Sequence, residues 1–219
     1  MWIHPVDTLD LVVKGVIIGV AASAPMGPVG VLTVQRTLNK GRWLGFATGM
    51  GAALSDLLYA LLTGLGMSFV MDFVQNPRNM TVLQLVGTVL LFLFGLYTYR
   101  SNPLHGVHAS SGNRGTLASN FFTGFMITIS NPLIVFLFVA LYARFAFIVP
   151  EHRIEQTFGY LGLAWGALLW WYGLTYFIHK VREQFHVKHL VWINRTIGIV
   201  VMVVSLLGFY FTIRGRSLY

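Results

Sequence analysis

The stretch "SAPMGPVG", Ser23 to Gly30, sets two prolines and two glycines inside Leu9–Val34, a run otherwise apolar enough to cross a bilayer. Each proline removes a backbone donor and crowds the carbonyl four residues earlier, while the glycines relax the chain. A helix through this run is therefore expected to kink or open near Met26. In hydrocarbon the carbonyls freed by a break are expensive unless something bonds them, so such a break survives only inside protein or beside a polar cavity.

The rest of the chain supplies that setting. Of 219 residues, 56% are hydrophobic and 10% charged, with a mean hydropathy of +0.69, the composition of an integral membrane protein. Spanning the hydrocarbon takes about 17 to 25 helical residues. Six runs qualify: Leu9–Val34, Trp43–Val70, Leu83–Tyr99, Phe121–Val149, Phe158–Ile178 and Val191–Ile213. They are continuously apolar rather than alternating, which favours helices over barrel strands. The connections are short and polar, leaving no room for a soluble domain. Ala22-Ser23-Ala24 has the small-x-small form of a signal cleavage site, but Asp7 and Asp10 precede it without a Lys or Arg in the first ten residues, so a retained first helix is expected.

A formal charge of +8 would in a soluble chain suggest nucleic acid. Here the basic residues fall mainly between apolar runs and read as topology signals, with no nucleic-acid partner. Arg36, Lys40, Arg42, Arg100, Arg114, Lys180, Arg182, Lys188 and Arg195 follow spans one, three and five. Lys14, Arg78, Arg144, Arg153, Arg214 and Arg216 lie on the other side. That bias puts both termini outside the cytoplasm. With no cysteine, thiol redox chemistry and thiolate metal binding are excluded.

The order of signals repeats. After "MGPVG" come "GFATGMGAALSDLLYALLTGLG" and "LVGTVLLFLFGLYTYR"; after "SNPLI" come "GYLGLAWGALLWWYGLTYFIHK" and "TIGIVVMVVSLLGFYFTIR". Gly27-Pro28 matches Asn131-Pro132, Gly45 matches Gly159, and Gly95-Leu96-Tyr97 matches Gly208-Phe209-Tyr210. Three helices per unit makes the second unit enter the membrane from the opposite side. The expected fold is thus an all-α integral membrane protein, one transmembrane domain over 1–219, with six transmembrane helices in two inverted three-helix repeats of about 9–100 and 117–214 and with helices one and four broken. Two broken helices at matching positions point to a transport site at the midplane, with Thr128, Ser130 and Asn131 beside Pro132 to bond ligand or backbone.

Asp56 alone among the seven acids falls near the centre of a span. An ionised Asp there costs about 2.5 to 3.5 kcal/mol on insertion scales, a cost tolerated mainly for function. At helical spacing it shares one stripe with Gly45, Gly49, Ala53, Ala60 and Gly64, so it faces packed helices and not lipid. An acid so placed can exchange a proton for a cationic substrate; a structural acid bonded to Ser or Asn of a neighbouring helix is the plainer alternative.

These residues resemble the LysE/RhtB family of bacterial amino-acid exporters: the Gly-Pro of "APMGPVG", the basic turn and acid-terminated helix of "NKGRWLGFATGMGAALSD", and the Asn-Pro of "TGFMITISNPLIVFLF". The resemblance runs from about Gly15 to Ile213. It implies efflux of amino acids or related small metabolites driven by the proton gradient, through two three-helix repeats. Met26, Val29-Gly30 and Leu133 depart from the family pattern, and the family's Lys after Asn-Pro is replaced by Leu133. The substrate and proton-binding set is then Asp56, Gly27, Pro28, Ser130, Asn131 and Pro132. Amino acid, protons and lipid are the partners, with a homo-oligomer left open, and no cofactor, metal or catalytic group is called for.

Two other readings remain. His105-x-x-His108 and His186-x-x-His189 have ligand-like spacing, which keeps a divalent-metal exporter of the same superfamily as an alternative, although both pairs lie in polar connections where solvated histidines are common. A membrane enzyme would need a system such as His179 with Glu183, at i, i+4, for which a surface ion pair is the simpler account. Trp165, Trp170 and Trp171 read first as packing or interface anchors and second as the lining of a pathway, and Gln35 and Arg36 as residues that close the first helix.

Overall fold

A computed structural model describes residues 7–25, 27–68, 77–101, 115–131, 133–149, 151–183 and 189–214. Among the described residues there are eight helices and no strands: α1 Thr8–Ser23, α2 Pro28–Lys40, α3 Arg42–Ser68, α4 Pro77–Arg100, α5 Leu117–Ile129, α6 Leu133–Phe145, α7 Arg153–Lys180 and α8 His189–Ile213. Three of these are individually long and apolar enough to cross a membrane, over Arg42–Met67, Arg153–Lys180 and Val191–Ile213. Two further crossings qualify as bent pairs: α1 with α2, turned through 81°, and α5 with α6, turned through 74°. That makes up to five crossings by length and apolarity among the described residues, against the six expected. The remaining expected run, Leu83–Tyr99, lies within α4.

Both breaks follow local chemistry. Asp7 caps α1, its Oδ1 accepting from Leu9 N at 2.9 Å, and α1 ends where Ala24 N closes onto Val20 O at 2.9 Å. Pro28 then opens α2 at the first helical position, where its missing N–H costs nothing. α2 stops at Gly41, whose φ of 105° suits glycine and turns the chain into α3. In the second unit Thr116 caps α5 through Ser119 N at 3.1 Å. Helix α6 stops at Phe145, four residues before the expected end of its run, because Ala146 takes a positive φ of 46° and Phe147 N returns to Tyr142 O.

The first helix of each unit packs against the opposite unit. Helix α1 lies along α7, and α5 along α3. Small residues allow this. A Cβ at Gly15 or Gly19 would land on the carbonyl oxygens of Gly159 and Leu163, and one at Gly162 or Gly166 would crowd the backbone of Val12 or Val16. On the other seam Gly51 meets the backbone of Phe121, and Gly124 that of Thr48. Helices α4 and α8 pair with each other, with Gly95 against Gly198 and Met202. Gly208, matched to Gly95 in the sequence repeat, instead lies under the Arg144 side chain.

The two half-helices after the breaks are unequal. Helix α6 rests on α4, near Gly87. Helix α2 rests on α3, with Thr37 over Gly45, and has no comparable seam with α8. The largest core cluster gathers Leu11, Ile18, Phe138, Tyr142, Phe147 and Leu163 from both units, with the Tyr142 and Phe147 rings stacked at 5.0 Å. Large apolar side chains such as Leu62, Phe122, Trp165 and Leu206 face outward, as a lipid-facing surface requires.

Candidate functional site

The predicted stripe of α3 is buried along its length: Gly45, Gly49, Ala53, Asp56, Ala60 and Gly64 all face other helices. Thr37 covers Gly45, Trp171 covers Gly49 and Tyr160 covers Gly64. Asp56 is only 5% exposed, and its Oδ2 accepts from the Ser23 hydroxyl at 3.1 Å. Ser23 is the last residue of α1, so the end of the first half-helix is bonded directly to the buried acid.

The neighbouring turns of α3 hold the second break. Ser55 Oγ donates to Phe125 O at 2.8 Å, and Tyr59 OH donates to Ile129 O. Ile129 O is one of the last carbonyls of α5, which lack an intrahelical donor, so Tyr59 supplies the partner a break inside hydrocarbon demands. Ser130 closes the end locally: its N–H and its hydroxyl both donate to Met126 O, at 3.2 and 2.7 Å, and Asn131 N donates to Thr128 O at 3.0 Å.

Both breaks and the acid open onto one cavity of about 520 Å³. The first break contributes Ser23, Pro25, Gly27, Pro28 and Val29, and the second Thr128, Asn131 and Ile134. Helix α3 adds Ala52 and Asp56, α7 adds Trp171, and α4 adds Phe94, Tyr97 and Thr98. Asn194 of α8 completes the wall; its Nδ2 donates to Thr98 O at 2.7 Å and Ser101 O at 3.3 Å, joining α8 to the end of α4.

Of the residues expected at the site, Asp56, Gly27, Pro28 and Asn131 meet at this cavity. Ser130 does not line it: it is exposed, with its hydroxyl turned back onto Met126. Pro132 lies outside the described residues, as do Met26 and three of the four spaced histidines, His105, His108 and His186; of His189 only its place at the start of α8 is described. Sequence reading does not anticipate Thr98 or Asn194 in the wall, and it ranks a lining role for Trp171 behind packing. Asn194 had a signal, an amide inside the last apolar run, and Ser23 had one as the first residue of the broken stretch. Trp171 had a weak one, since an indole on a membrane helix reads more simply as packing.

Two cationic side chains act as struts. Arg36 lies within α2, beyond the expected end of the first span, and its Nη1 donates to Thr48 Oγ1 at 2.8 Å and Asn120 O at 3.1 Å, bracing α2 against α3 and α5. The Arg42 guanidinium sits over Tyr172, Tyr176 and Trp43 at 4.3, 5.0 and 5.1 Å. His179 and Glu183 do not form the expected ion pair: His179 Nδ1 is buried without a partner, and Glu183 is exposed beyond the end of α7.

No solved structure matches the chain. A protein of Bacillus subtilis (strain 168) named "Putative amino acid efflux protein YcgF" is 27% identical over 209 residues, covering 94% of this chain and 97% of that one. The profile of the family described as "LysE type translocator" matches residues 20–214. That span takes in both helix breaks, Asp56 and every helix from the end of α1 to α8, and the chain belongs to the LysE type translocator family of membrane transporters, not to the enzymes.

Proposed function

We propose that the chain is a secondary transporter that exports amino acids or related small metabolites across the bacterial plasma membrane in exchange for protons. The observation that carries this reading is the convergence of both helix breaks and the buried Asp56 on one cavity. Asp56 serves as the group that holds a proton in one part of the cycle and a substrate amine in another. Gly27, Pro28, Asn131 and Pro132 shape the breaks whose backbone meets the substrate, and Ser130 secures the end of α5.

The fold in this reading is one domain of six crossings built as two inverted repeats, with both termini outside the cytoplasm. The helix pairing supports it: exchanging the units turns the α1–α7 seam into the α5–α3 seam and maps α4–α8 onto itself. Unequal seating of α2 and α6 supports alternation, since each half-helix has an alternative seat in the arrangement that the other adopts.

The test is purified protein in liposomes with a pH-sensitive dye inside. An imposed amino-acid gradient is expected to drive proton movement in the wild type. If no amino acid moves protons or is itself moved, the reading fails; if divalent metals alone do so, the metal-exporter alternative replaces it.

A further inference from the structure

Building on the amino-acid reading, we propose that this cavity selects neutral amino acids with apolar or aromatic side chains. Asp56 is the only charged side chain among the described residues of the wall. Once it meets the substrate ammonium, beside Ser23, a second positive charge on the substrate has no counter-ion. A substrate with a carboxylate in its side chain has no cation to meet it. Either would bring an unpaired charge into a site enclosed by helices, a heavy penalty.

The main-chain carboxylate has donors. Gly27 precedes α2 without a side-chain cap and Pro28 brings no N–H, so the first N–H groups of this 13-residue helix carry no cap from the residue before it, and Val29 of that turn lines the cavity. A helix N-terminus favours an anion. Trp171 and Thr128 also belong to the wall, with the indole Nε1 and the hydroxyl Oγ1 buried away from the open space.

The remaining wall is apolar: Phe94, Tyr97, Ile127, Ile134 and Leu137 face the cavity beside the Trp171 ring. At about 520 Å³ the space lies within the roughly 300 to 1,000 Å³ of small-molecule sites, and it has room for an aromatic side chain. Charge count and apolar wall thus select the same side-chain class.

The experiment measures binding of leucine, phenylalanine, lysine and glutamate to the full-length protein in nanodiscs, with phenylalanine amide and 3-phenyllactate as probes lacking the carboxylate or the amine. Leucine and phenylalanine are expected to bind at least about tenfold more tightly than lysine or glutamate, and each truncated probe to lose about tenfold or more. Lysine or glutamate binding as well as leucine overturns the side-chain selectivity and leaves amino-acid export standing. If no amino acid binds and none is moved in the liposome assay, both this inference and the export reading fall.

Discussion

The hydroxyl of Ser23 donates to Oδ2 of Asp56 across 3.1 Å, so the residue that ends α1 and the acid midway along α3 form one unit although 33 positions separate them. Movement at the first break is therefore felt at the carboxyl group, and a change in its protonation is felt at the break. The two substitutions at this contact separate its parts.

Asp56→Asn keeps the shape and can still accept the Ser23 hydroxyl, so it is expected to insert and fold while losing proton-coupled export. Ser23→Ala keeps the carboxyl group and is expected to retain export at a reduced rate. Both are read in the liposome assay across a range of pH. Wild-type transport with unchanged pH dependence in Asp56→Asn would remove Asp56 from the coupling.

Pro28→Ala restores an N–H at the start of α2, and Pro132→Ala does the same at the matched sequence position. Each is expected to impair transport more than Pro103→Ala, in the polar stretch between the sequence repeats, because a break that can close no longer holds the cavity open. Equal small effects at all three positions would mean that the prolines only adjust packing.

Tyr59→Phe leaves Ile129 O without its donor, whereas Ser55→Ala removes a bond to Phe125 O, a carbonyl that also accepts within α5 by ordinary helix geometry. The first is expected to cost about 1 to 3 kcal/mol of stability and the second nearer 1 kcal/mol. Thermal unfolding midpoints in one detergent measure the difference, and an equal or reversed order contradicts the role given to Tyr59.

Gly19→Ala would place its methyl on Leu163 O, while a Cβ at Gly173 meets nothing within 4 Å. The first is expected to loosen the α1–α7 seam and lower the unfolding midpoint. Gly173→Ala is expected to be neutral or to stabilise by up to about 1 kcal/mol through helix propensity. A harmless Gly19→Ala would mean that the seam can part without cost.

Much of this site is written locally in the chain. Pro25, Pro28 and the Asn131-Pro132 pair announce the breaks because proline acts on its own backbone, and Asp56 stands out because a charge in an apolar run is expensive wherever the helix lies. The stripe of Gly45, Gly49, Ala53, Ala60 and Gly64 is legible for the same reason, since close approach needs small residues whatever the partner. What was hidden depends on rotation and pairing. Trp171 looks the same on a lipid face and a cavity face, and only the seating of α7 beside α3 decides. Ser130, polar and next to the break, was a reasonable site residue until the local bond to Met126 O claimed its hydroxyl. Arg36 reads as a helix end because apolarity runs out there, yet α2 continues, and Thr48 with the Asn120 carbonyl gives the guanidinium its bonds.

The exchanged seams make the two halves of the chain complementary in the geneticist's sense. Each half presents a bare glycine face whose cover is carried by the other: Gly15 and Gly19 await α7, and Gly124 awaits α3. Severed within 102–114, the fragments are expected to be degraded when expressed singly and to recover a stable, transporting protein when expressed together. A half made alone is an interlocking piece without its mate, so a lesion on one face of a seam is open to suppression by a compensating reduction in size on the other.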